Sequence, residues 1–159
     1  MRFRAALPLG FCALFGCSSS DSSGSSGPGT TSDPLDGARD KCVATINSYR
    51  ATLGLPPYTR WVQAEVCSDG EAKSDSETKK AHGAFGTCKE SAQNECPGWP
   101  GPPESLLDGC LKMMWAEGPG ADFQKHGHYT NMSSKSYTMV SCGFYQTPAG
   151  NYWAVQNFK

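Results

Sequence analysis

The sequence predicts one α+β domain, stapled by disulfides and preceded by an export signal. Apolar residues recur at helical spacing through the first part of the folded region and alternate at period two near its end. Helices first and an antiparallel hairpin last indicate an α+β arrangement, not the repeating βαβ of a parallel sheet. With 159 residues the chain is long enough for one domain and short for two.

The opening residues stand apart from that domain. Arg2 and Arg4 form a positive start, Ala5 to Leu14 is a short apolar run, and Leu14-Phe15-Gly16-Cys17 reads as a cleavage site. The run is too short to span a bilayer, so residues 1–16 are expected to be a signal peptide. A signal ending in Leu-x-Gly-Cys resembles a bacterial lipobox. The resemblance implies that Cys17 is diacylated and becomes the first mature residue, and Ser18 and Ser19 after it point to the outer membrane or cell surface. Ser18 to Asp33 contains no large apolar residue. It cannot bury enough surface to offset its conformational entropy, so residues 17–35 are expected to be a disordered tether reaching about 20–25 Å. The membrane partner is then the lipid anchor alone.

The folded domain is expected over residues 36–159. Cys42, Ile46, Tyr49 and Leu53 make one face of a first helix, stopped by Gly54. Leu55-Pro56-Pro57-Tyr58 is an extended link. Trp61 to Ala81 is a second helix with a weak stripe of Trp61, Ala64, Cys67 and Ala72. Gly83 to Pro103, rich in Gly and Pro, is expected to be a long ordered loop. Leu107, Cys110, Leu111 and Met114 mark a third helix, ended by Gly118-Pro119-Gly120. Thr138, Val140, Cys142 and Phe144 alternate as a strand, Pro148 to Asn151 is a turn, and Tyr152 to Phe158 is the returning strand. Trp99 lies among prolines and glycines, where it either caps the core or lines a cleft rim.

Without the two signal arginines there are 12 basic and 15 acidic residues, and no basic run. Nucleic-acid binding has no electrostatic support. No Cys-x-x-Cys pair is present, which argues against a zinc ribbon or a thioredoxin-like site.

Four segments follow one another in a set order: Asn47-Ser48-Tyr49-Arg50 with Gly54 to Tyr58 and Trp61, then Gly127-His128-Tyr129-Thr130-Asn131-Met132, then Val140-Ser141-Cys142-Gly143, and last Tyr152 to Phe158. They resemble, in turn, the opening helix and turn, the Gly-His-Tyr-Thr signature and the last strands of the CAP superfamily of cysteine-rich secretory proteins, venom antigens and pathogenesis-related proteins. The resemblance implies a three-layer α-β-α sandwich with a central antiparallel sheet. It also implies a cleft of two histidines and two acids. His82 and His128 fit the histidines. Glu90 fits the acid of a Gly-Glu-Asn pattern, with Lys89 in place of the glycine and the asparagine displaced. Glu117 fits the second acid.

Two neutral imidazoles can share a divalent cation, most naturally zinc, and two alone hold it weakly. Carboxylates beside them can orient the rings, and a polarised water beside Glu90 could attack a carbonyl. Glu117 sits near a helix C-terminus, where a negative charge requires a compensating partner. His126 matches no family position and is expected on the surface.

With Cys12 removed and Cys17 lipidated, Cys42, Cys67, Cys88, Cys96, Cys110 and Cys142 remain, an even set for an oxidising compartment. Pairing is not fixed by sequence. Closeness along the chain favours Cys42–Cys67 between the first two helices, Cys88–Cys96 closing the loop beside Glu90, and Cys110–Cys142 tying the third helix to the sheet.

Three functions follow as expectations. The first is a binding module whose cleft takes a divalent cation and a small, lipidic or peptide ligand. The second is a metal-assisted hydrolase with His82 and His128 as ligands and Glu90 and Glu117 as its acids. The third is a structural envelope protein with a vestigial cleft.

Overall fold

The computed structural model describes residues 33–159. The expected signal peptide, Cys17 and nearly all of the tether therefore lie outside the described residues. The elements, in order, are α1 (Asp36–Ala51), β1 (Thr59–Arg60), α2 (Glu65–Thr78), β2 (Ala92–Trp99), α3 (Pro103–Ala116), α4 (Phe123–Ser133), β3 (Met139–Gln146) and β4 (Tyr152–Phe158). A single 3₁₀ turn, Val62–Ala64, leads into α2. Among the described residues no helix is long and apolar enough to cross a membrane.

The four strands form one sheet in the order β1-β3-β4-β2. The long strands pair antiparallel, with Cys142 opposite Gln156 and Asn94 opposite Gln156 on the other side. The two-residue β1 pairs parallel to β3, so the sheet is mixed where an antiparallel one was expected. Alternation along β4 separates the faces. Ala154 and Phe158 join the main core with α1, α3 and α4, whereas Trp153 and Val155 pack with Ala72 of α2. The result is helices on both faces of a central sheet: an α-β-α sandwich.

The main core is apolar: Ala38, Cys42, Val43 and Ile46 of α1 meet Leu106, Leu107, Leu111 and Met114 of α3. The layer under α2 is polar instead. The Ser68 and Ser141 hydroxyls lie 2.9 Å apart, and Asn157 Nδ2 donates to Ser68 Oγ at 3.0 Å and to Glu71 Oε2 at 2.5 Å. Gly143 lets the two layers meet, since a Cβ there would stand 2.2 Å from the Ser68 backbone. The buried face of α2 is thus largely Ser68, Glu71, Ala72, Asp75 and Ser76, which explains its weak apolar stripe.

Three expectations about elements are corrected. Gly83–Pro103 is not all loop: most of its second half is β2, whose first five residues are all buried, so apolar alternation is lost where Gln93, Asn94 and Glu95 are satisfied by hydrogen bonding. Pro97 and Gly98 fall where the pairing with β4 shifts register between Cys96 and Trp99. The second helix ends at Thr78, short of Ala81, because Lys79 turns left-handed at φ 56°. The helix α4 was not anticipated; its polar, glycine-containing sequence buries only Asn131 and Met132.

The disulfides are Cys42–Cys142, Cys67–Cys88 and Cys96–Cys110. None of the three pairs favoured by sequence closeness forms. Cys42 of α1 lies under β3 and so meets Cys142. Cys67 of α2 faces the returning loop at Cys88. Cys96, buried on β2, points at α3 and takes Cys110.

Candidate functional site

His82 stands on a turn hung from buried carboxyl groups. Its own φ of 58° is left-handed, an unfavourable conformation for a residue with a Cβ. Its N–H donates to Glu95 Oε2 at 2.6 Å. The Ala84 N–H donates to Asp75 Oδ1 at 2.7 Å and the Cys88 N–H to Glu71 Oε1 at 3.2 Å. The Gly86 N–H donates to Glu90 Oε1. Four acids thus accept four amides of one loop, and Cys67–Cys88 ties its end to α2.

The imidazole of His82 is oriented by Gln93. The Gln93 amide nitrogen donates to Glu71 Oε2 at 3.1 Å and to Asn157 Oδ1 at 3.0 Å, so its carbonyl Oε1 must face the ring. His82 Nδ1 lies 2.8 Å from that oxygen and is therefore the protonated nitrogen of the neutral ring. Its Nε2 keeps a free lone pair.

His128 is oriented in the same sense by a carboxylate. Glu117 is the C-cap of α3. Its Oε1 lies 2.5 Å from His128 Nδ1, and its Oε2 accepts the N–H groups of His128 at 3.0 Å and Tyr129 at 3.3 Å. These donors are the partner that the helix dipole requires. The neutral His128 ring also carries its proton on Nδ1 and presents Nε2. His126, partly buried, directs Nδ1 at the Glu117 and Gly118 carbonyl oxygens, 2.8 and 3.0 Å away, and serves the α3–α4 corner.

Both rings line one cavity of about 250 Å³, with Gln93, Asn131, Phe123, Gln124 and Gly127. A second cavity of about 330 Å³ shares His82, Gln93, Phe123 and Asn131, and adds Phe85, Ala92 and Tyr137. Phe85 and Phe123 remain 49% and 60% exposed, so the cleft has a partly apolar mouth. Asn131 closes the floor, donating to Asn94 Oδ1 at 2.9 Å.

Behind His82 the acids are crowded. Burial is the largest effect on Glu95 and, with Asp75 beside it, pushes its carboxyl up to about 7. Burial likewise pushes Glu71 up to about 7, with Glu90 as its charged neighbour. Among the described residues, three ligating atoms approach within 4.8 Å only at Cys67, Glu71 and Cys88, and those cysteines are disulfide-bonded. At the cleft itself, the nitrogen donors that share a cavity are the imidazoles of His82 and His128.

The four residues expected in the cleft do not all meet there. His82 and His128 share a cavity, and Glu117 touches His128. Glu90 lines neither cavity; it supports Gly86 of the loop instead. The groups beside His82 are Gln93 and Glu95, two residues apart on one face of β2. One sequence signal could have found Gln93. Ala92-Gln93-Asn94 keeps the asparagine of the Gly-Glu-Asn pattern in place, whereas Lys89-Glu90-Ser91 does not.

Comparison with known proteins agrees with this architecture. The model of the cysteine-rich secretory protein family, CAP, matches residues 43–158. No curated protein matches the chain significantly in sequence. Among solved structures, Na-ASP-1 superposes with a TM-score of 0.56 at 13% identity, over 77% of this chain and 38% of its own. This chain thus spans well under half of Na-ASP-1. The venom allergen-like protein 4 of Schistosoma mansoni gives 0.51 at 16% identity, over 76% and 86%. The hookworm platelet inhibitor gives 0.53 at 14%, over 78% and 69%. Identities this low speak for the fold alone. With the family match spanning most of the chain and the sandwich and its disulfides in place, this chain belongs to the CAP, or cysteine-rich secretory protein, family.

Proposed function

We propose that this protein is an exported binding module whose cleft holds a divalent cation weakly between His82 and His128 and receives a small, lipidic or peptide ligand beside it. The observation that carries the reading is the matched orientation of the two rings. Each Nδ1 is committed to a neighbour, Gln93 or Glu117, so each Nε2 is left as a lone-pair donor on the same cavity. A bound cation would supply a positive centre to polarise or anchor an oxygen of the ligand. Gln93 and Glu117 hold the rings, and Phe85 and Phe123 shield the mouth.

A peptidase-like role for the cleft has less support. Glu90, the base expected for it, serves the loop, and Glu117 is committed to His128 and Tyr129. We further propose, from the sequence, a signal peptide over residues 1–16, lipidation at Cys17 and a tether over 17–35 that holds the domain above the outer membrane or cell surface. The three disulfides fit that oxidising location.

Thermal unfolding of the metal-stripped domain tests the cation site. Zinc is expected to raise the melting temperature saturably, and His82→Ala with His128→Ala to remove the shift. An identical shift in the double variant would sink the proposal. Mass spectrometry of the mature protein tests the anchor: a diacylated N-terminal cysteine is expected, and an unmodified Cys17 overturns it.

A further inference from the structure

The cavity of about 330 Å³ includes His82 but not His128, and no carboxylate, lysine or arginine lines it. Its size is at the small end of ligand pockets, which suits a ring system better than a long chain. Three aromatic rings from separate parts of the chain wall it. Tyr137 is backed by Phe158, with 6.0 Å between ring centroids. Phe123 lies against its own helix at Gly127, where a Cβ would stand 3.2 Å from the ring. Phe85 stands on the loop that carries His82, and both phenylalanines are exposed at the mouth. The fixed polar atoms left over are acceptors. Asn131 is only 5% exposed. Its Nδ2 donates to Asn94 Oδ1 at 2.9 Å and to Gln93 O at 3.4 Å, and Asn94 Nδ2 donates in turn to His128 O, which fixes both amides. Asn131 Oδ1 accepts no hydrogen bond among the described residues, although Asn131 lines the cavity. Gln93 is used at both ends, and the neutral His82 ring offers only its Nε2 lone pair. A buried amide oxygen without a donor is costly, so the floor calls for a donor from whatever fills the space.

We propose that this cavity seats an uncharged phenol ring, presented by a free phenol or by a tyrosine side chain, with its O–H donated to Asn131 Oδ1. Ring faces and edges pair favourably with Phe85, Phe123 and Tyr137. A charged ligand would lose its hydration and gain no opposite charge from this lining. The proposal rests on the reading of the cleft as a binding site and names its ligand; no metal ion takes part in it.

NMR titration of the ¹⁵N-labelled, EDTA-treated protein tests it. The probes are p-cresol and N-acetyl-tyrosinamide. Toluene and 4-methylanisole, one smaller and one larger, lack the donor, and phenylacetate is the anionic control. Saturable binding of p-cresol about fivefold or more tighter than either donor-free ring is expected, as one hydrogen bond supplies. The side-chain amide resonances of Asn131 are expected to move with p-cresol and to stay in place with toluene. Phe123→Ala, at an exposed position, should weaken p-cresol about fivefold, within the range for loss of an aromatic pair. Tighter binding of N-acetyl-tyrosinamide than of p-cresol would assign the seat to a peptide, and the reverse order to a free phenol. Equal affinity for toluene, tighter binding of phenylacetate, an unmoved Asn131 amide, or full affinity in Phe123→Ala would each overturn the proposal. The zinc-induced melting shift of the unlabelled protein is read separately, so failure of the phenol seat is distinguishable from failure of the cation site.

Discussion

At the scale of single residues, the cleft is governed by hydrogen-bond direction. Gln93 has its amide nitrogen fixed by two acceptors, so its oxygen dictates which nitrogen of His82 is protonated. The chemistry of a ring 11 positions away in sequence is thereby decided by Glu71 and Asn157, which never touch it. The same buried layer makes stability depend on pH. Glu95 has an ordinary value of 4.5 and stands at about 7 in the fold. A group raised on folding favours the protonated form, so its stabilising effect is complete below about 4.5 and is lost as pH rises through about 7. Glu71 acts in the same direction. The melting temperature is therefore expected to fall between pH 5 and pH 8, and Glu95→Gln to flatten that fall. A wild-type melting temperature that is level or rising across this window would contradict the assignment.

At the scale of elements, two junctions hold the cleft walls in register. The end of α4 is received by Arg50, buried to 1% exposure. Its Nη1 donates to the Met132 and Ser134 carbonyl oxygens, both at 2.8 Å, and its Nε to Pro56 O at 2.9 Å, while its guanidinium lies 3.5 Å from the Tyr58 ring centroid. Arg50→Ala strands three acceptors and is expected to cost at least about 3 kcal/mol in urea unfolding. Arg50→Lys keeps the charge and loses the fork, so it should also destabilise, by a smaller amount. The second junction is Gly143 against Ser68. The contact a Cβ would meet is backbone, which cannot rotate away, so Gly143→Ala is expected to cost about 1–3 kcal/mol or more as α2 is pushed off the sheet. Full stability of that variant in the same assay would show the α2–sheet contact to be looser than described.

At the scale of the whole molecule, the disulfides tie helices to the strands and loop beside them across very different chain lengths. Cys42–Cys142 closes 100 residues and links α1 to β3. Cys96–Cys110 closes 14 residues and links β2 to α3. If the bonds act chiefly on the unfolded chain, removal of the first should cost about 4.7 kcal/mol and of the second about 3 kcal/mol. Paired Cys→Ala variants are thus expected to melt in that order, the Cys42/Cys142 pair lowest. The reverse order would mean that local packing at Cys96 outweighs loop closure. The third bond, Cys67–Cys88, anchors the loop that carries His82, so its loss should disturb the cleft more than the core.

The sequence alone determined the α+β class, the first and third helices, the closing hairpin and the two histidines, because each is written in local periodicity or in a contiguous motif such as Gly127 to Met132. It hid β2 and the inner face of α2, because there Ser68, Glu71, Asp75, Gln93 and Asn94 occupy buried positions and satisfy one another, so hydrophobic period carries no signal. It also left the cysteine pairs open, and it pointed to Glu90 where Gln93 and Glu95 stand beside His82. Those are contacts between residues far apart along the chain, such as Cys42 with Cys142 and Gln93 with Asn157. Only the stacking of helices on a registered sheet fixes which side chains face each other across such distances, and the character of the cleft follows from that stacking.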